Sequence, residues 1–281
     1  MRSLIRFTKM QGSGNDFVVI EGITQQVQIT PALVRQLSDR RLGIGFDQLL
    51  LLEAPTKTNV DFSYRIFNSD GSEVSQCGNG ARCVARFAIE AGLTSSKNMS
   101  METRQGRLEM QVQKGGMVRV NMGRPSFVPK DIPTTSHPSE GCLHHLKTTP
   151  EVDAFIVSFG NPHCIIQSEQ TDVDTLHQWS QQIEALNLFP EGINLTLMQV
   201  LARNHIRLTI LERGAGLTQA CGSAACAAVV TGIERGLLAN EVQVDMPGGH
   251  VSVLWSKPTA PVFLTGPTAS VYRGHFVLHH N

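Results

Sequence analysis

A chain of 281 residues suffices for one large domain or two of ordinary size. Its 24 basic and 24 acidic residues cancel and no basic block stands out, which argues against nucleic acid or an anionic membrane as the main partner. The N-terminal stretch MRSLIRFTKMQGSGNDF turns polar and glycine-rich before any signal-type apolar region forms, and LLLL at 49–52 is far too short to span a bilayer, so the expected location is the cytoplasm. Six cysteines (77, 83, 142, 164, 221 and 226) contain no C-x-x-C pair, and a chain this long can bury a core without staples, so free thiols are the default.

In chain order, FVVIEG at 17–22 reads as a strand, and TPALVRQLSDRR at 30–41 as a helix with Thr30 as N-cap and Pro31 at its first position. DFSYRIFN at 61–68 is a strand that leads into a glycine-containing turn and Cys77; the run GARCVARFAIEAGL after it predicts a helix ending at Gly92. RLEMQVQKGGMVRVNMG at 107–123 predicts two antiparallel strands joined at KGG, 114–116. FIVSFG at 155–160 is a strand and VDTLHQWSQQIEAL at 173–186 an amphipathic helix. HIRLTILERG at 205–214 is again a strand before a turn and a cysteine, Cys221. The run SAACAAVVTGIERGLL predicts a helix ending near Gly236. EVQVDMPGGHVSVLW at 241–255 and APVFLTG at 260–266 close the series as strands, and VYRGHFVLHH can return to the first domain as an edge strand.

The two cysteine-led helices imply an internal duplication, because QCGNGARCVARF at 76–87 and QACGSAACAAVV at 219–230 repeat one phrase after a strand and a polar turn. Both runs are apolar on nearly every side, which suits a helix buried inside curved sheets. The fold class expected is α/β (α+β): two pseudo-symmetric domains, each an antiparallel-rich, barrel-like sheet around a central helix, with the active site in the cleft between them. The domains are set at 1–122, with 267–281 as a candidate return segment, and at 123–266.

A thiol at a helix N-terminus sits beside unpaired N–H groups and the positive end of the dipole, so its pKa is expected to fall, by a term on the order of 1 kcal/mol. The same amides can hold an external carboxylate. Two such thiols match what inversion at an acidic carbon requires, one group removing a proton from one face while another delivers a proton to the other. The plainer alternatives are a small buried hydrophobe, assigned to Cys83, Cys142, Cys164 and Cys226, or a disulfide between Cys77 and Cys221. A metal site is disfavoured, since the histidines near Cys142 and at the C-terminus lack a complete ligand spacing.

KMQGSGNDF at 9–17, RRLGIGFDQ at 40–48, FNSDGSEVSQCGNGARC at 67–83, FGNPHC at 159–164, EGINL at 191–195, ERGAGLTQACGSAAC at 212–226 and LTGPTASVYRG at 264–274 resemble, in order along nearly the whole chain, the diaminopimelate epimerases. The resemblance implies a two-base interconversion of LL- and meso-diaminopimelate without a cofactor, in lysine and peptidoglycan precursor synthesis. It makes Cys77 and Cys221 the acid/base thiols, and Gly78, Asn79, Gly222 and Ser223 the cradle of the carboxylate at the reacting carbon. Asn15, Gln48, Asn68, Asn161, Asn194, Glu212 and Arg213 become substrate contacts, with Glu212 receiving an ammonium and Arg213 forking onto a carboxylate. His163 is read either as support for the site or as a satisfied structural histidine. Gln11, Leu217 and Ala224 depart from the family's usual residues. The partner is the small-molecule substrate; a homodimer is compatible with the sequence, which does not give the oligomeric state. The competing readings are a proline or hydroxyproline racemase on the same fold, and a non-catalytic thiol redox sensor or amino-acid-binding protein.

Overall fold

The computed structural model describes residues 2–74, 78–104, 106–135, 137–138 and 141–279. The chain divides into two compact units, Met1–Asn121 with Thr265–Asn281, and Met122–Leu264. Among the described residues, no helix is long and apolar enough to cross a membrane.

In the first unit the order is β1 (Arg2–Gly12), β2 (Asn15–Glu21), α1 (Pro31–Ser38), β3 (Gln48–Glu53), β4 (Phe62–Asn68), β5 (Glu73–Val74), α2 (Gly78–Glu90), β6 (Asn98–Thr103), β7 (Gly106–Val112) and β8 (Met117–Asn121). Strands β1 and β2 pair antiparallel, β2 and β3 parallel across α1, and β3 and β4 antiparallel. Strand β4 pairs antiparallel with β5 and parallel with β6 across α2, after which β6, β7 and β8 form an antiparallel meander. The second unit contains β9 (Leu143–Leu146), β10 (Val152–Ser158), β11 (Pro162–Gln167), α3 (Val173–Ala185), β12 (Asn194–Ala202), β13 (His205–Glu212), β14 (Gly216–Thr218), α4 (Gly222–Glu234), β15 (Glu241–Met246) and β16 (Gly249–Leu254). Its pairings repeat the series: β10 and β11 antiparallel, β11 and β12 parallel across α3, β12 and β13 antiparallel, β13 with β14 antiparallel and with β15 parallel across α4, and β15 with β16 antiparallel. The division between units falls within β17 (Phe263–Pro267), and β18 (Ala269–His279) lies antiparallel along β1.

The duplication extends to the burial pattern. Strand β3, QLLLLE, is buried at four successive residues because it is covered on both faces: Leu49 and Leu51 join Val34 and Leu37 of α1 in one cluster, while Leu50 and Leu52 alternate to the face opposite. In the second unit Leu195 and Leu197 of β12 pack with Leu176 and Ile183 of α3 in the same way. Strands β7 and β15, with one face in solvent, alternate buried and exposed. The central helices pack against the concave sheet faces, α2 on β1, β2, β3, β7 and β8, and α4 on β10, β11, β12 and β16. Every residue of α4 from Ala224 to Gly232 is buried.

Helix α1 is shorter than the predicted 30–41. Thr30 caps it, its hydroxyl accepting from Leu33 N at 3.2 Å, but Asp39 turns the chain outward by accepting from the amides of Arg41 and Leu42. The central helices end alike: Gly92 N donates to Ile89 O and Leu93 N to Ala88 O, as Gly236 N donates to Ile233 O and Leu237 N to Gly232 O. That paired closure needs a left-handed residue, and Gly92 and Gly236 have φ of 71° and 69°. No heavy atom lies within 4 Å of a Cβ added at Gly236, so Gly236→Ala is expected to cost only the backbone strain, about 1–2 kcal/mol, read from the denaturant midpoint at unchanged slope. Gly232→Ala should cost more, because its Cβ would lie 2.4 Å from Leu238 Cδ1.

Candidate active site

In the second unit the site is assembled at strand ends around the first turn of α4. Cys221 is the N-cap, with φ −131° and ψ 115°, and its carbonyl accepts the first helical bond from Ala225 N. Glu212, the last residue of β13, puts Oε2 3.2 Å from Cys221 Sγ, which donates to it. Ser223 Oγ lies 3.5 Å from the same sulfur and takes a hydrogen bond from Asn161 Nδ2 at 3.2 Å. Asn194 is spent within the protein at both ends: Nδ2 donates to Pro162 O at 2.9 Å and Oδ1 accepts Arg213 N at 2.9 Å. Asn194 therefore fixes the backbone that carries Arg213. The guanidinium of Arg213 donates to Glu191 O at 3.0 Å.

The thiol of Cys221 does not behave as its place on the helix predicts. Burial, and after it the charge of Glu212, push its pKa well above the ordinary value, against the lowering effect of Ser223 and of the Ala224 N–H. The magnitudes explain the reversal: a helix end supplies on the order of 1 kcal/mol, less than one pKa unit, whereas burial can move a group by about 3–5 units. Cys221 is thus held as a protonated donor. The Ala224 amide still reaches the sulfur. Cys142 and Cys164, buried without comparable partners, are pushed up to about 11 and about 12, as suits inert core thiols.

His163 is fully buried and, among the described residues, neither ring nitrogen has a hydrogen-bond partner; burial, aided by the charge of Arg213, lowers its pKa to about 3. It is therefore neutral, and it is not a satisfied structural histidine. Its register position in β11, opposite Asn194, is that of Phe17 in β2, opposite Gln48.

In the first unit the equivalent positions are Asn15 for Asn161, Gln48 for Asn194 and Asn68 for Glu212. Gln48 Nε2 donates to Asn68 Oδ1 at 2.9 Å, Asn68 Nδ2 to Ser72 Oγ at 3.3 Å, and Gln48 Oε1 is buried without a donor among the described residues. Asn15 Nδ2 donates to Asp47 Oδ2 at 2.7 Å. Gly78 and the buried Asn79 form the first turn of α2. Cys77 lies outside the described residues.

Two features escaped the sequence reading. Glu212, to which the resemblance gives an ammonium, also stands against the thiol; the available signal is its spacing of nine residues before Cys221, repeated by Asn68 before Cys77. Asp47 and Arg40, inside RRLGIGFDQ, were passed over although Asp47 adjoins Gln48. Among the described residues no group of three or more His, Cys, Asp or Glu side chains is gathered as a metal ion would need.

The same fold occurs in solved structures of low identity. A hydroxyproline epimerase from Agrobacterium vitis matches with a TM-score of 0.69 at 14% identity, over 99% of this chain and 94% of the other. A phenazine biosynthesis protein of the PhzF family from Bacillus anthracis matches at 0.65 and 14%, over 98% and 99%. Methylitaconate-delta-isomerase matches at 0.66 and 13%, over 99% and 96%. These likenesses show the fold, a duplicated α+β architecture that this chain shares with them. The family model for diaminopimelate epimerase matches residues 7–128 and 155–271, and the chain belongs to that family.

Two measurements test the site. Replacing Glu212 by Gln removes a like charge from beside the thiol, so the ultraviolet thiolate titration of Cys221, isolated by difference from Cys221→Ser, is expected to move to lower pH; an unmoved titration would remove Glu212 from the electrostatics. For His163 the folded pKa lies below the unfolded value near 6.5, so its stabilising contribution is complete above that value and is lost as pH falls toward about 3. Relative to His163→Phe, the wild type should lose about 1.4 kcal/mol per pH unit in that window, followed by denaturant unfolding at each pH.

Proposed function

We propose that the protein is a diaminopimelate epimerase that inverts one α-carbon of diaminopimelate by a two-thiol mechanism without a cofactor. The observation that carries this reading is the pair of Cys221 and Glu212 beside the helix amides of α4: a thiol kept protonated next to a cradle suited to a carboxylate. Cys77 supplies the second thiol. As thiolate, Cys77 takes the α-proton; the electron pair of that C–H bond stays on the carbon, and the S–H proton of Cys221 forms the new C–H bond on the opposite face. In the other direction the labels exchange, and Glu212 is placed to take the Cys221 proton that frees the thiolate.

The choice of diaminopimelate over a cyclic imino acid rests on polar residues in excess of what one amino acid end needs. Arg213, with its backbone fixed by Asn194, supplies a fork for a distal carboxylate, and the amides of Asn15, Asn68 and Asn161 supply donors suited to a carboxylate and acceptors suited to an ammonium. A proline-type substrate has no second end to engage them. His163, neutral and opposite Asn194 in the sheet, supports the site without carrying charge.

The deciding experiment is incubation of reduced protein with LL-diaminopimelate in D₂O, following the α-hydrogen by NMR and the stereoisomers by chiral chromatography, with L-proline and trans-4-hydroxy-L-proline in parallel. Deuterium incorporation with inversion of diaminopimelate is expected, reduced by at least about 10²-fold in both Cys77→Ala and Cys221→Ala. Inversion of an imino acid in its place would transfer the protein to the racemase reading, and no exchange with any of the three would direct attention to a redox or binding role.

A further inference from the structure

The first unit contains a closed set of two cations and two carboxylates that the second lacks. Lys9 Nζ sits 2.6 Å from Asp16 Oδ2, in a pair whose side chains are only 10% and 19% exposed, and Lys9 also donates to Gly45 O. Arg40 forks onto Asp16 at 2.9 and 2.8 Å and reaches Asp47 Oδ1 at 2.9 Å. The two cations hold the Asp16 carboxyl far below the usual carboxylate range despite its burial. Withdrawing such charges from water is costly, and pairing offsets the cost only with good geometry.

The fold does not require this set. By strand register the second unit has Ile156 where the first has Lys9, Pro162 for Asp16 and Ile193 for Asp47, and it completes the same sheet with apolar side chains. What the ionic version adds is a grip on a site residue. Asp47 Oδ2 accepts both Asn15 Nδ2, at 2.7 Å, and Asp16 N, at 3.1 Å, while its other oxygen is held by Arg40. In the second unit the equivalent Asn161 is gripped instead by Ser223 of α4. A carboxamide has a donor end and an acceptor end. With its donor end drawn to the Asp47 carboxylate, the Asn15 carboxamide is fixed in its rotation.

We propose that Asp47 and Arg40 are positioning residues acting through Asn15: Arg40 locks the Asp47 carboxylate, and Asp47 orients the Asn15 carboxamide for the substrate. This rests on the assignment of Asn15 to substrate binding made above. Neither residue touches the reacting carbon, so their loss is expected in KM more than in kcat.

The test is steady-state inversion of diaminopimelate by the wild type, Asp47→Ala, the isosteric Asp47→Asn, Arg40→Met, Arg40→Lys, Asn15→Ala and the double variant Asn15→Ala/Asp47→Ala, with the melting temperature of each. Asp47→Ala and Asp47→Asn are expected to raise KM, the alanine variant by about tenfold, with kcat nearly kept. Arg40→Met should follow them and Arg40→Lys recover part of the loss. The double variant should be no worse than Asn15→Ala, because Asp47 then has nothing to orient. Additive losses in the double variant, or a wild-type KM in both Asp47 variants, overturn the proposal. A second readout is independent of substrate: the Asn15 side-chain amide protons, assigned by their absence from Asn15→Ala, should exchange more slowly in the wild type than in Asp47→Ala, and equal exchange also overturns it. Slow exchange in a wild type that leaves diaminopimelate unchanged sinks the substrate assignment instead and upholds the orienting bond.

Discussion

Everything in the second unit turns on a helix with no face left for water. Helix α4 is apolar around its whole circumference and fills the concavity of its sheet, so its flanks can offer chemistry to nothing but the core. Its N-terminal end is different. The amides of the first turn have no intrahelical acceptors there, and the chain must arrive from the strand ends of β13 and β14 to cap them. Strand ends, helix head and the loops that join them consequently crowd into one small region. Cys221, Glu212, Ser223, Asn161 and Asn194 are neighbours for that reason, though Asn161 and Ser223 lie 62 positions apart in sequence.

The same crowding decides the chemistry. A region dry enough to bury a thiol is dry enough to suppress its ionisation, and the adjacent Glu212 works in the same direction. The helix dipole is the weaker influence and shows itself in the orientation of the amides rather than in the protonation of the sulfur. Nearby, a histidine stripped of hydrogen-bond partners stays neutral, which keeps a second positive charge away from Arg213. A network that is polar in composition thus holds its charges on a few chosen atoms.

Much of the fold was legible because its hydrophobic periods are unambiguous. The alternating strands β7, β8 and β15, the capped helix α1, the amphipathic α3 and the two apolar helices all carry local signals that the tertiary structure respects. Strand β3 was harder: LLLL has no period, and only the presence of a helix on one side and a second packed layer on the other makes four consecutive leucines a strand. Strands β1, β6, β9, β11 and β12 were missed, β9 because Leu143–Leu146 is four residues with two histidines, β12 because NLTLMQVLA reads equally as helix. The repeated cysteine phrase carried the expectation of thiol chemistry. It did not expose the state of the thiol, since a pKa depends on burial and on a carboxylate nine residues away, and no local pattern encodes either. Likewise Asn194 could be recognised as important from its place in EGINL, but only coordinates reveal that both ends of its amide serve the backbone.

The duplicated halves are alike in scaffold and unlike in chemistry. Where one has Asn68 the other has Glu212; where one has Phe17 the other has His163; where one has an ionic cluster the other has isoleucine and proline. Two identical subunits related by an exact dyad could not differ in this way, because any substitution would appear in both. Carrying the two copies in tandem on one polypeptide lets each be edited alone, so that one thiol can be tuned as an acid without imposing the same tuning on its counterpart. The covalent link between the halves is therefore a licence for inequality: one repeated architecture can carry different side chains at equivalent positions.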